Sequence, residues 1–298
     1  MTSVETFYNC QNILGEGIIW SQQNNSLYWL DIPMPSKLYK CSFNENKFET
    51  FNMPEMITAL AERSHNNLLI ASHYGINNFN TINKNFKKIL EVEKNKPHNR
   101  CNDGAADYMG NFWFGTMQNN IAADGSDTGV NENTGSLYCI DKNFNITTHE
   151  TEVGISNTFA WSPNNDKFYF SDTITGIISV YDYDSKNRTI TNKKDFAKFD
   201  RGYPDGSTVD ADGFLWNCRW GGSCVVRFNH KGEVDTVIEM PVPNITSCTF
   251  GGKDLKTLFV TTAKMGMSDE EKVKYPEAGN LFAINTNYQG KPDFKFAN

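Results

Sequence analysis

One spaced pattern occurs twice in this chain, 103 residues apart. Asp107 follows Asn102 after five positions, Gly110 comes three further on, and Trp113 three beyond that; Asp205, Asp210, Gly213 and Trp216 reproduce the same intervals without a gap. In each copy an Asp- and Gly-bearing turn joins a small-residue or apolar segment to an aromatic one. Asn111-Phe112-Trp113-Phe114 and Phe214-Leu215-Trp216 are the aromatic halves, and the unit reads as strand, tight turn, strand. A unit of this size cannot bury its apolar faces alone, so it has to be tiled against copies of itself.

Four weaker copies complete the set. The second strands read Leu27 to Asp31, Leu68 to Ser72, Phe112 to Thr116, Phe168 to Asp172, Leu215 to Arg219 and Leu258 to Thr262. Their last residues are separated by 41, 44, 56, 47 and 43 positions, a period that suits a four-stranded propeller blade. Third and fourth strands follow, as in Lys37 to Cys41 with Lys47 to Phe51, and Ser136 to Ile140 with Ile146 to His149. An N-terminal strand over Val4 to Asn9 can complete the last blade. The expectation is an all-β, six-bladed β-propeller of four-stranded blades, closed by that strand, with residues 1–298 as one domain. The one helical candidate, Ser268 to Lys274, reads as a short capped turn. The longest interval arises from a polar, Gly-rich insertion, Gln118 to Thr134, either a lid over one mouth of the ring or a surface excursion.

Composition narrows the partners. A formal charge of −7 argues against nucleic acid and anionic membranes, and a mean hydropathy of −0.53 without a long apolar run argues against a membrane span. Met1-Thr2-Ser3-Val4-Glu5 shows no signal-peptide pattern. The seven Cys form no C-x-x-C pair and the five His no H-x-x-x-H, so the expectation is a cytoplasmic protein with reduced thiols.

In a propeller the first strand of each blade lines the central channel. Counting back from the second strands puts the entries of the first strands at Glu16, Ile57 or Thr58, Asn102, Asn157, Asp205 and Thr246 or Ser247. Two carboxylates and two carboxamides thus converge from four blades amid small and apolar neighbours. Converging carboxylates repel and are costly to desolvate, so a cation is a natural occupant, and all-oxygen ligands point to Ca²⁺, Mg²⁺ or Mn²⁺, with Zn²⁺ still open. The alternative is that these residues cap strand-entry turns. Arg100 suits an anionic or hydroxyl-rich substrate or a developing oxyanion; alternatively it forms an ion pair with Asp103 or Asp107.

At these residues the sequence resembles the senescence-marker-protein-30, gluconolactonase and luciferin-regenerating-enzyme family. The resemblance rests on Gly15-Glu16-Gly17, Tyr28-Trp29-Leu30-Asp31-Ile32, Asn99-Arg100-Cys101-Asn102-Asp103-Gly104, Gly115-Thr116-Met117, Ser156-Asn157, Trp161-Ser162-Pro163, Tyr203-Pro204-Asp205-Gly206, Thr246-Ser247 and Phe250-Gly251-Gly252, and so spans nearly the whole chain. It implies one divalent cation (Ca, Mg, Mn or Zn) on Glu16, Asn157 and Asp205, and substrate contacts from Arg100 and Asn102. It also implies a bacterial-type sugar lactonase, a carboxylic-ester hydrolase that opens glucono-, xylono- or arabinonolactone. Two departures stand out. Thr158 replaces the glycine that the family has after its metal-binding Asn, so the turn there is expected to be one a β-branched residue tolerates. The lid, where animal members bring an acidic residue to the substrate, here begins Gln118-Asn119-Asn120, which makes Gln118 and Asn120 the lid candidates.

The expected mechanism is metal-assisted lactone hydrolysis with Asp205 as both ligand and base, in a monomer or small homo-oligomer. Two rivals remain at the level of sequence: a phosphotriesterase-like hydrolase on the same cation, and a non-catalytic calcium-binding propeller.

Overall fold

The computed structural model describes residues 3–297. Six antiparallel four-stranded sheets are arranged as the blades of one ring, as the repeat requires. Blade 1 comprises Gly15–Ser21, Ser26–Asp31, Lys37–Ser42 and Lys47–Asn52, and blades 2 to 5 follow in the same order, each sheet running outward from its first strand. Blade 6 comprises Asn244–Gly251, Thr257–Ala263 and Leu281–Asn285, and Val4–Tyr8 pairs antiparallel with Leu281–Asn285 as its outer strand. The chain's first strand therefore completes its last sheet.

The recurrent turn has a physical explanation. Asp107 accepts the backbone N–H groups of Met109 and Asn111 at 2.8 and 2.9 Å and the Trp113 indole N–H at 2.9 Å. Asp210 accepts the Phe214 N–H and the Trp216 indole, both at 2.9 Å. One carboxylate caps the turn and orients the Trp of the following strand. Trp29, Trp113 and Trp216 are fully buried, and Trp113 and Trp216 pack against aromatics of the next blade, Phe168 with Tyr183 and Phe250 respectively. Each large side chain removed from water in this way contributes about 1.5–3 kcal/mol.

Three details complete the frame. Asp269–Lys274 is a helix closed by a capping box between Ser268 and Glu271. All seven cysteines are free, and among the described residues no helix is long and apolar enough to cross a membrane. The segment 289–297 crosses one mouth of the channel, a feature for which the sequence raises no expectation. Within it Asp293 accepts the Trp20 N–H and the Thr249 hydroxyl, each at 2.7 Å, the Phe296 N–H donates to Glu62 O, and the Ala297 N–H donates to Gly110 O. It thereby ties blades 1, 2, 3 and 6 together across the axis.

Candidate active site

Every inner strand breaks register at the same level. The shifts fall between Glu16 and Ile19, Ile57 and Ala59, Cys101 and Gly104, Asn157 and Ala160, Pro204 and Ser207, and Ile245 and Cys248. A bulge inserts an unpaired residue and re-aims side chains. Glu16, Asn102, Asn157 and Asp205 all sit at these breaks, and all four line one pocket at the mouth opposite the terminal segment. Two of the bulges need left-handed backbone: Gly17 at φ 57° and Thr158 at φ 63°. Gly17 is well suited, because a Cβ there would lie 2.7 Å from Leu30. Thr158 overturns the expectation of a turn congenial to a β-branched residue; it occupies the very region such residues avoid.

Glu16, Asn157 and Asp205 are buried. Burial first, and then the charge of nearby Asp103, pushes Glu16 up to about 8. Asp205 is held well above the usual carboxylate range by burial, then by the charges of Glu16 and Asp103. Glu16 accepts one backbone N–H, from Gly17 at 3.0 Å. Two desolvated carboxylates side by side are the signature of a site whose compensating charge is a cation. The Asn157 amide is oriented to join them: its Nδ2 donates to Thr173 Oγ1 at 2.8 Å, while its Oδ1 accepts from Asn102 at 3.1 Å and keeps a second lone pair. Among the described residues no group of three or more His, Cys, Asp and Glu could hold a metal. The groups that could hold a cation here are two carboxylates and one amide oxygen, hard donors of the kind that suit Ca²⁺, Mg²⁺ or Mn²⁺. The third carboxylate of the region, Asp103, lines the cavity on the other side of the channel and accepts the Gly104 N–H at 2.8 Å.

Arg100 makes neither of the ion pairs considered from sequence. Its Nη1 donates to Cys101 O at 3.0 Å and Asn102 Oδ1 at 2.7 Å, its Nη2 to Asn120 Oδ1 at 2.9 Å, and its Nε has no protein partner. Burial lowers this guanidinium to about 10. Arg100 lines the pocket, so its buried positive charge can act on an oxygen of a bound molecule.

The insertion forms part of the pocket. Asn120 lies on Arg100 and donates to Asp127 Oδ1 at 3.0 Å, and both insertion residues line the pocket. Gln118 stands outside that lining and accepts the Asn131 and Glu132 N–H groups at 2.8 and 3.0 Å, bracing the loop. Asp127, Thr173, Trp220 and Met265 also line the pocket and were not singled out from the sequence. Thr173 and Trp220 were within reach, since each directly follows a second-strand end, at Asp172 and Arg219; Asp127 and Met265 depend on loop paths that no periodicity marks.

Comparison with known proteins places these observations in a family context. Residues 14–264 match the model of the SMP-30/Gluconolactonase/LRE-like region. A Bacillus subtilis protein assigned as a sugar lactone lactonase, YvrE, is 31% identical over 96% of this chain and 95% of its own. The 6-deoxy-6-sulfogluconolactonase of Pseudomonas putida is 29% identical over 96% of each chain. Among solved structures, the calcium-binding protein regucalcin from Agrobacterium tumefaciens superposes with a TM-score of 0.91 at 26% identity, covering 99% of this chain and 97% of its own.

Proposed function

Because the chain belongs to the SMP-30/Gluconolactonase/LRE-like family, we propose that it is a divalent-metal-dependent lactonase that hydrolyses sugar lactones to aldonic acids. The observation that carries this reading is the convergence of Glu16, Asn157 and Asp205 with Arg100 and Asn102 on one pocket. Relatives named for lactone hydrolysis support the reaction class.

Glu16, Asn157 and Asp205 would hold the cation. When bound, a divalent cation supplies positive charge that polarises an ester carbonyl and eases the ionisation of water. The chain's own residues do the rest. Asp205 accepts a proton from the attacking water and returns it to the ring oxygen as the acyl C–O bond breaks, a role typically worth about a hundredfold to ten-thousandfold. Arg100 and Asn102, both in the pocket lining, bind sugar hydroxyls and the oxygen on which negative charge develops. Asn120 keeps the Arg100 fork in place, and Trp220 offers an apolar face to the sugar's C–H groups.

The test is acid release, followed with a pH indicator, from a panel of aldonolactones offered to chelator-stripped protein and to protein restored with Ca²⁺, Mg²⁺, Mn²⁺ or Zn²⁺. Metal-dependent acid production above the spontaneous rate is expected. A flat response to every lactone, with metal bound, would refute the proposal.

A further inference from the structure

We infer that Thr158, backed by Asn217 and Arg219, is a positioning residue that locks the backbone of Asp205. The inference rests on the reading of Asp205 as ligand and base given above.

Thr158 is fully buried and sits at φ 63°. A β-branched residue is strained there, whereas glycine takes that conformation freely. What threonine adds is a hydroxyl. Its Oγ1 donates to the backbone carbonyl of Asp205, one blade away, at 2.7 Å, and accepts from Ser171 at 3.0 Å and from Ser207 at 3.3 Å. Asn217 Nδ2 donates to the same Asp205 carbonyl at 3.1 Å and to Ser207 Oγ at 2.9 Å.

Behind Asn217 stands a buried cation with no carboxylate partner among the described residues. Arg219, 1% exposed, donates from Nη1 to Asn217 Oδ1 at 3.0 Å and spends its other donors on three carbonyls: Arg201 at 3.0 Å, Phe199 at 2.9 Å and Gly202 at 2.8 Å. Those carbonyls belong to the segment that leads into Asp205. The guanidinium thus grips the approach to Asp205, and two donors pin its carbonyl. Turning the Asp205 peptide would break both bonds on its carbonyl at once. A displacement of about 1 Å in a reacting group lowers the rate about a hundredfold, so the lock bears on catalysis although none of the three residues lines the pocket.

The experiment compares Thr158→Val, which keeps the shape and removes the hydroxyl, with Thr158→Ser, which restores it. Three quantities are read on the full chain: cooperative thermal melting, Mn²⁺ affinity by calorimetry, and kcat and KM on an aldonolactone. For Thr158→Val we expect Mn²⁺ affinity weakened about tenfold and kcat lowered at least about tenfold with KM nearly unchanged, and for Thr158→Ser recovery to within about threefold of wild type. Should Thr158→Val fail to fold, Asn217→Asp decides: it gives Arg219 a charged partner but removes the donor to Asp205, and the same losses are expected. Wild-type Mn²⁺ affinity and kcat in a folded variant would overturn the inference, as would loss of fold in both. If wild-type protein opens no lactone while the variants still bind Mn²⁺ more weakly, the lactonase reading fails and the lock stands.

Discussion

The indole N–H of Trp113 rests on the carboxylate of Asp107 at 2.9 Å, and Trp216 rests on Asp210 at the same distance. The Asp–Trp interval that recurs in the chain is this bond. Asp107 also receives the hydroxyl of Tyr183 from the neighbouring blade at 2.5 Å, so it joins a turn, a strand and an inter-blade contact. Asp107→Ala leaves four or more buried donors unpaired and should lower stability by about 3–5 kcal/mol, with Mn²⁺ affinity unchanged below the melt. Urea unfolding beside a calorimetric titration checks both halves.

Glu16→Gln removes a buried carboxylate and, on the proposed reading, a cation ligand together. The chelator-treated variant should melt no lower than wild type, because the desolvated charge is gone. A ligand present at about 100 times its Kd stabilises the protein that binds it by about 2.7 kcal/mol, and the variant should lose that gain. Differential scanning calorimetry with and without Mn²⁺ separates the two effects.

Arg100→Lys keeps the charge and removes the fork that spans Cys101 O, Asn102 and Asn120. An ammonium cannot reproduce that geometry. We expect kcat/KM on aldonolactones to fall about a hundredfold while Mn²⁺ affinity stays within about twofold of wild type. Steady-state kinetics with a parallel binding titration tests this.

Asp293 gives a pH dependence far from the proposed ligands. Burial raises its pKa to about 6, so between the unfolded carboxylate value and 6 the folded chain binds more protons than the unfolded one. Its contribution is therefore fully present at low pH and is lost as pH rises through 6. Asp293→Asn should flatten the fall in stability across that window, by at most on the order of 3 kcal/mol. Melting temperatures of both proteins at several pH values between about 4 and 7 provide the comparison.

The blade period and second strands were legible because their signals are local: an Asp caps its own turn and holds a Trp six residues on. The inner-strand entries were legible by counting, since each bulge recurs at one level. What escaped is non-local. The segment holding Asp293 and Phe296 has no periodicity, and its partner Trp20 lies at the other end of the chain. The left-handed backbone of Thr158 runs against its residue type, because the bulge dictates φ and the hydroxyl network sustains it. The path of the insertion that brings Asn120 and Asp127 to the pocket depends on side-chain bonds within a loop.

The central claim is that Glu16, Asn157 and Asp205 hold one cation, and anomalous diffraction from a crystal loaded with Mn²⁺ tests it most directly. One strong peak is expected within about 2.0–2.6 Å of oxygens from all three residues. A peak elsewhere in the ring, or none at the pocket from protein that binds Mn²⁺ in solution, would contradict it.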